Sequence, residues 1–308
     1  MNGKIIFLFK KISSRHGGLV LLLLTLMSAT TCAQQLYVGT LNVQNQNDDD
    51  ARNGNGWAKR CQVICDMMNF EQPDILAAQE MKSSQLRGLL NGMDGYDYVG
   101  VGRDDGKSAG EFVPIFFNTL TLSVIDSGTF WLSETPDVPS KGWDAANIRI
   151  CTWAHLLVKA TNKEVVVYNM HLDHKGTEAR RKSVEMVLAR AGEAIEAGTS
   201  VILMGSFNAD QDNEATKVVA SSGMLTDAYV KAAQRYAENG TSNSFSYSSF
   251  SDRRYDHVFV SRDATVENYA ILPYAYWTEN LVDKKEGSAK YTRRQPSDHY
   301  PVMVKMVM

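Results

Sequence analysis

Two packed β-sheets with helices on their outer faces, in one mixed α/β domain over residues 34–308, is the architecture this sequence predicts. Strand-like apolar runs recur along the whole chain, among them "QLYVGTLNV", "DILAAQEM", "EVVVYNMHLD", "SVILMGSFNA", "YDHVFVS" and "YPVMVKMVM". Residues 57–70 and 177–197 instead repeat their apolar residues at helical spacing and fall between such runs. No long Pro/Gly-rich linker, low-complexity tract or internal repeat marks a second domain.

The first 33 residues stand apart. Lys4, Lys10, Lys11 and Arg15 precede the apolar run Leu19 to Met27, and the small-residue stretch "SATTCA" follows. That order reads as a secretory signal peptide cleaved near Ala33, which places the mature chain in the periplasm or outside the cell. The apolar run is about half the ~20 residues a membrane span needs. Lipid attachment at Cys32 is the alternative, and Ala29, Thr30 and Thr31 before it fit a lipoprotein signal poorly. The segment holds four basic residues and no acidic ones, so its removal takes the net charge from -3 to -7. An acidic surface disfavours long duplex DNA, whose sequence-independent binding rests on phosphate neutralisation.

In the first helix Trp57, Cys61, Ile64, Cys65 and Met68 form one apolar stripe, so both cysteines read as core residues rather than zinc ligands. Cys151, in "RICTWAHL", belongs to a strand. In the second helix Val184, Val187, Leu188 and Ala191 share a side. No coiled-coil heptads are present, and a monomer is expected.

Polar residues gather where the strands end: Thr40 to Gln44, Gln79 with Glu80, Asn169 to Asp173, Ser206 to Asp210, Asp256, and Asp298 with His299. Such ends converging on one rim make a pocket. In chain order they spell an Asn after the first strand, Gln-Glu, N-x-H-x-D, G-x-F-N-A, D-x-x-x-V and a terminal S-D-H. This series resembles the endonuclease/exonuclease/phosphatase superfamily, which includes deoxyribonucleases, abasic-site endonucleases, sphingomyelinases, inositol polyphosphate phosphatases and deadenylases. The likeness covers residues 36–308, and the segments "VGVGRDDGKSAGEFVPIFFN" and "SGTFWLSETPDVPSKGWDAANIRICTW" look like a bacterial exported branch. It implies a four-layer α/β sandwich with its site at one end of the sheets.

Phosphate-ester hydrolysis needs neutralised phosphoryl oxygens, an activated water and a stabilised leaving oxygen. The resemblance implies Asn42, Glu80 and Asp298 as ligands of Mg²⁺ or Mn²⁺, a hard-oxygen set suited to such ions. It makes His171 and His299 donors to the phosphoryl group, pairing Glu111 with His171 and Asp256 with His299; such a partner raises an imidazole's pKa. Asn208 contacts a phosphoryl oxygen or the water, and Arg103 and Arg149 are further phosphate contacts. Trp131, Trp143, Trp153 and Tyr255 either stack a substrate ring or belong to the core.

One position departs from the family pattern. Ser206 stands where the G-D-F-N block carries an aspartate that orients or deprotonates the attacking water. A serine hydroxyl cannot take that proton at neutral pH. Three readings stay open: a slower metal-dependent enzyme, an enzyme in which Asp210 takes over, or a protein that binds a phosphorylated ligand without turning it over. A serine nucleophile is disfavoured, because "MGSFN" lacks the second glycine of the serine-hydrolase elbow. The reading favoured here is a metal-dependent hydrolase of a phosphodiester or phosphomonoester in a short oligonucleotide or RNA, nucleotide, sugar or lipid headgroup.

Overall fold

The computed structural model describes residues 35–248, 250–279 and 290–308; the expected leader and Cys32 lie outside them. The chain runs β1 (Gln35–Asn42), α1 (Asp48–Arg52), α2 (Trp57–Glu71), β2 (Ile75–Gln79), α3 (Ser83–Gly92), β3 (Tyr96–Val99), β4 (Ile115–Asn118) and β5 (Leu122–Trp131). It continues with β6 (Ile150–Val158), β7 (Lys163–His171), α4 (Thr177–Glu196), β8 (Ser200–Ser206), α5 (Glu214–Ser221), β9 (Leu225–Asp227), α6 (Ala228–Lys231) and β10 (Gln234–Tyr236). Last come β11 (Asp256–Ser261), β12 (Thr265–Ile271), β13 (Tyr276–Glu279), β14 (Tyr291–Arg294) and β15 (Val302–Val307).

Seven strands form one sheet in the order β10-β12-β15-β1-β2-β4-β3, and six form another in the order β5-β6-β7-β8-β11-β9. β1 pairs with β2, and β7 with β8, in parallel. A parallel neighbour needs a crossover. Helix α2 lies on the first of these connections and α4 on the second, and they are the two helices the apolar periodicity predicts.

Strand alternation divides the apolar residues into two sets. Val38, Ile75, Ala77, Ile115, Val165, Val167, Ile202, Met204 and Val258 share one cluster between the sheets. Their strand neighbours face outward: Leu76, Ala78 and Phe116 pack with Ile64, Met68, Leu86 and Leu89 of α2 and α3. Tyr168, Leu203 and Phe259 pack with Val184, Val187, Leu188 and Val219 of α4 and α5. The result is the expected four-layer sandwich. Each fully buried aliphatic side chain contributes about 1.5–3 kcal/mol.

The inward set changes character toward one end of the strands. Following Val165 and Val167 at the same parity come Asn169 and His171; Ile202 and Met204 lead to Ser206; Asp256 precedes Val258. Asn169 Oδ1 accepts from Gln79 Nε2 at 2.8 Å, and Asn169 Nδ2 donates to the carbonyls of Ala78 and Pro114 at 2.9 and 2.8 Å. These bonds join β7 to β2 and the approach to β4 across the interior. Hydrocarbon gives way there to satisfied amides, and then to the site.

Candidate active site

Register sets the first group of residues. His171 is the partner of Ser206 in the β7–β8 ladder, and Ser206 is the partner of Asp256 in the β8–β11 ladder. Three adjacent strands therefore present His, Ser and Asp side by side. Gly205 makes the strand end feasible: its φ is 142°, and a Cβ there would sit 2.0 Å from the Met170 carbonyl oxygen. On the other sheet Asn42 is the partner of Gln79, and the next residue, Glu80, turns into the left-handed region at φ 61°. Asn208 does the same at φ 47°. Both are non-glycine residues held in a costly conformation at the site.

Asn45, Glu80, Arg103, Glu111, Asn147, Arg149, His171, His174 and Asn208 line a cavity of ≈ 230 Å³. Arg149 is its organising cation. Its Nε donates to Asp173 Oδ2 at 3.3 Å, its Nη1 to His171 Nδ1 at 3.0 Å and its Nη2 to His174 Nδ1 at 3.3 Å. Asp173 in turn accepts from the backbone N–H groups of Ala146, Asn147, Lys175 and Gly176 at 2.9–3.0 Å. Burial pushes this carboxyl up, but the four backbone bonds outweigh it and hold its pKa below the ordinary 3.8.

A guanidinium can only donate, and Arg149 Nη1 reaches both ring nitrogens of His171, lying 3.0 Å from Nδ1 and 3.4 Å from Nε2. That nitrogen lies 3.1 Å from Asn208 Nδ2 and 3.6 Å from Glu80 Oε1. Asn208 Nδ2 already donates to the Leu172 carbonyl at 2.9 Å. Donors from Arg149 and Asn208 thus converge on the His171 ring, with the Glu80 carboxylate beside them. Burial, then the charges of Arg149 and Arg103, push the His171 pKa well below its ordinary 6.5.

This corrects the expected pairing of Glu111 with His171. Glu111 accepts from Arg103 Nη1 and from Asn45 Nδ2, the latter at 3.1 Å. The Arg149 guanidinium occupies the side of His171 where a carboxylate was expected. His171 is consequently neutral rather than a cationic donor.

His299 is held by a carboxylate. Its Nδ1 donates to Asp256 Oδ2 at 2.6 Å. Burial opposes the charge, yet Asp256 and its hydrogen bond outweigh it and push the pKa up to about 10. Burial also raises the Asp256 carboxyl, and the His299 charge with bonds to its ring overrides this, leaving the acid below its ordinary value. Ser206 Oγ and Asp256 Oδ1 are both fully buried and make no hydrogen bond. Ser206 lies close enough to favour the Asp256 charge without reaching bonding geometry.

Asp210 makes no hydrogen bond to the row of His171, Ser206 and Asp256 among the described residues. The αL turn at Asn208 ends the extended run, and Asp210 turns to Arg253 at 3.7 Å and to the Asp212 backbone. Among the aromatic residues, none of Trp131, Trp143, Trp153 and Tyr255 lines the cavity. Trp131 is core, its Nε1 donating to the Arg103 carbonyl at 2.7 Å.

Among the described residues no three His, Cys, Asp or Glu side chains form a ready metal cage. The fit of a cation rests on Glu80. Its carboxylate accepts from Asn42 Nδ2 at 2.8 Å and from the Asn45 backbone at 3.3 Å, with neutral His171 beyond. These partners are uncharged, and among the described residues no Lys or Arg forms an ion pair with this carboxylate; the charges of His299 and Arg60 reach it only from farther off. Asp298 lies on the same side of the fold: burial pushes its carboxyl above 3.8 against the pull of His299 and Arg60. Oxygen donors from Glu80, Asn42 and Asp298 suit Mg²⁺ or Mn²⁺.

Three supporting residues lacked a clear sequence signal or were misread. Arg60 is fully buried, its guanidinium donating to the carbonyls of Val43, Gln44, Asn55 and Pro296 at 2.6–3.1 Å. It ties the end of β1 to the segment entering Ser297-Asp298-His299. Its place three residues after Trp57 and four before Ile64 was the available clue. Asp173 and His174 sit in "HLDHKG", where the strand-end reading ran to Asp173 without giving it a role and stopped short of His174.

The model of the endonuclease/exonuclease/phosphatase family matches residues 39–299. The chain belongs to that family. Family members are hydrolases of phosphoesters and generally use divalent metal ions. Mannosyl-6-phosphatase Bt3783 of Bacteroides thetaiotaomicron is 42% identical, with TM-score 0.84, over 89% of this chain and 100% of its own. A family member from Bacteroides vulgatus is 31% identical with TM-score 0.78, over 89% and 99%. D. rerio TDP2 complexed with a single-strand DNA product is 18% identical with TM-score 0.66, over 89% and 100%, a likeness of fold alone. An uncharacterized protein of Acanthamoeba polyphaga mimivirus is 29% identical over 161 residues, which are 50% of this chain and 60% of that relative's length.

Proposed function

We propose that this protein is a divalent-metal-dependent phosphomonoesterase acting on a phosphorylated sugar, and that it is exported after loss of residues 1–33. The observation that carries the reading is the convergence of Arg149 and Asn208 donors around His171 beside the Glu80 carboxylate, which forms no ion pair with Lys or Arg among the described residues. N–H donors next to such an acid would suit a phosphoryl group together with a divalent cation. A cavity of ≈ 230 Å³ favours one small phosphate ester over a groove that tracks a polynucleotide. The net charge of -7 without the leader points the same way, and so does the likeness to a protein named as a mannosyl-6-phosphatase.

Glu80, Asn42 and Asp298 would hold Mg²⁺ or Mn²⁺, which would supply charge neutralisation to the phosphoryl group. Arg149, His171 and Asn208 orient the phosphoryl oxygens by hydrogen bonds. His299, kept cationic by Asp256, donates to a third oxygen as negative charge builds. Arg103 balances Glu111 and leaves Arg149 free to serve the substrate. Ser206 removes the usual proton acceptor, and turnover is slow in consequence.

Hydrolysis by the purified protein tests this with hexose 6-phosphates, p-nitrophenyl phosphate, a chromogenic diester, a choline phospholipid and a short RNA, each with Mg²⁺, Mn²⁺ or chelator. Metal-dependent cleavage of the monoesters, abolished by His299→Ala, is the expected result. The buried, unbonded Ser206 hydroxyl favours one second reading, a binder of phosphorylated ligands. Calorimetric binding of hexose 6-phosphate without turnover of any substrate would select it. Export predicts a native chain starting close to Gln34, and an intact mass that retains Met1 refutes that part.

A further inference from the structure

We propose that Asn147 and His174 form a subsite for the alcohol part of the substrate, selecting a hydroxyl-bearing leaving group such as a hexose; this rests on the phosphoesterase reading above. Both residues line the cavity. His174 is exposed and Asn147 half-buried, whereas Arg149 and His171 are buried. A phosphoryl group held by the buried donors leaves its alcohol directed to the more exposed residues.

One carboxylate places the pair. Asp173 accepts from the Asn147 backbone N–H at 3.0 Å, and from Lys175 and Gly176, which follow His174, at 2.9 Å. It also holds Arg149, so the phosphate contact and the two outer residues share an anchor. The Asn147 side-chain amide makes no hydrogen bond among the described residues, leaving two N–H donors and an acceptor for a ligand.

His174 is more specific. Arg149 Nη2 donates to its Nδ1 at 3.3 Å, which requires that nitrogen to be bare and puts the ring proton on Nε2. His174 therefore offers its Nε2 N–H away from Arg149, and its part is recognition of an oxygen. An imidazole N–H beside an uncharged amide matches hydroxyl groups, which both donate and accept. A second phosphate would call for cations instead.

The test compares kcat and KM of the wild type, Asn147→Ala, His174→Ala and His174→Gln on a hexose 6-phosphate and on p-nitrophenyl phosphate, whose leaving group has no hydroxyls beyond the ester oxygen. Each alanine variant should lower kcat/KM for the hexose 6-phosphate by about tenfold, mainly through KM. The same variants should change p-nitrophenyl phosphate by less than about threefold. His174→Gln keeps an oxygen for Arg149 and an outward N–H, and should recover most of the loss. Equal losses on both substrates in folded variants mean that these residues only brace Arg149, and overturn the proposal. Unchanged hexose phosphate kinetics overturn it as well. A wild type that cleaves neither compound removes the phosphoesterase reading, and this one with it.

Discussion

Ser206 occupies the middle of a three-strand row, with His171 on one side and Asp256 on the other, and its hydroxyl bonds to neither. The position is geometrically prepared for a larger acceptor. Asp256 is already committed to His299, and Asp210 has turned toward Arg253. Replacing Ser206 by Asp should raise kcat by about 10²-fold or more with metal present, the range a positioned general base contributes. It should also lower Tm, because a second carboxylate enters a buried row beside charged Asp256. A variant that melts earlier with unchanged kcat would show that proton acceptance does not depend on this position. Steady-state kinetics beside a thermal melt separate the outcomes.

At the scale of elements, two loops depend on one side chain. Asp173 follows β7 and binds backbone groups of the segment that leads into β6 together with those of its own loop before α4. Its folded pKa lies below 3.8, so its contribution is present above that value and is lost as pH falls through the folded pKa. Asp173→Asn should cost about 2–3 kcal/mol at pH 7, as expected for hydrogen bonds to a charged group. It should also flatten the acid limb of the stability profile. Urea midpoints measured from neutral pH downward check both; a variant as acid-sensitive as the wild type would place the titration elsewhere.

These loops also show what sequence patterning can and cannot reach. Period-2 alternation located β7, β8 and β11 and predicted that His171, Ser206 and Asp256 lie at strand ends, because parity is a local property. The spacing of apolar residues likewise located α2 and α4. The partner of His171 is not local: Arg149 enters from β6's leading loop, and its approach depends on Asp173 holding that loop. Arg60 was obscured for a related reason. An arginine on an apolar helical face looks like a pattern fault until four carbonyls from separate segments surround it.

For the whole molecule, metal binding should be visible as stability. The described fold is two sheets around a shared core with helices outside, and an ion that binds only the folded chain stabilises all of it at once. At a free concentration of about a hundred times Kd the gain is about 2.7 kcal/mol. At about 2 °C per kcal/mol for a chain of this size, Mg²⁺ should raise Tm by about 5 °C. Glu80→Ala should abolish that rise. It should lower the metal-free Tm by only a few degrees, because the partners it frees, buried Asn42 and half-buried Asn45, are neutral amides. Arg149→Ala should lower the metal-free Tm yet keep the rise, since it removes a phosphate contact and not an ion ligand. Differential scanning calorimetry of the three proteins with Mg²⁺ or chelator decides the matter without any substrate. An equal Mg²⁺ shift in Glu80→Ala would put the ion elsewhere on the chain, and Glu80 would lose its role as the metal's anchor.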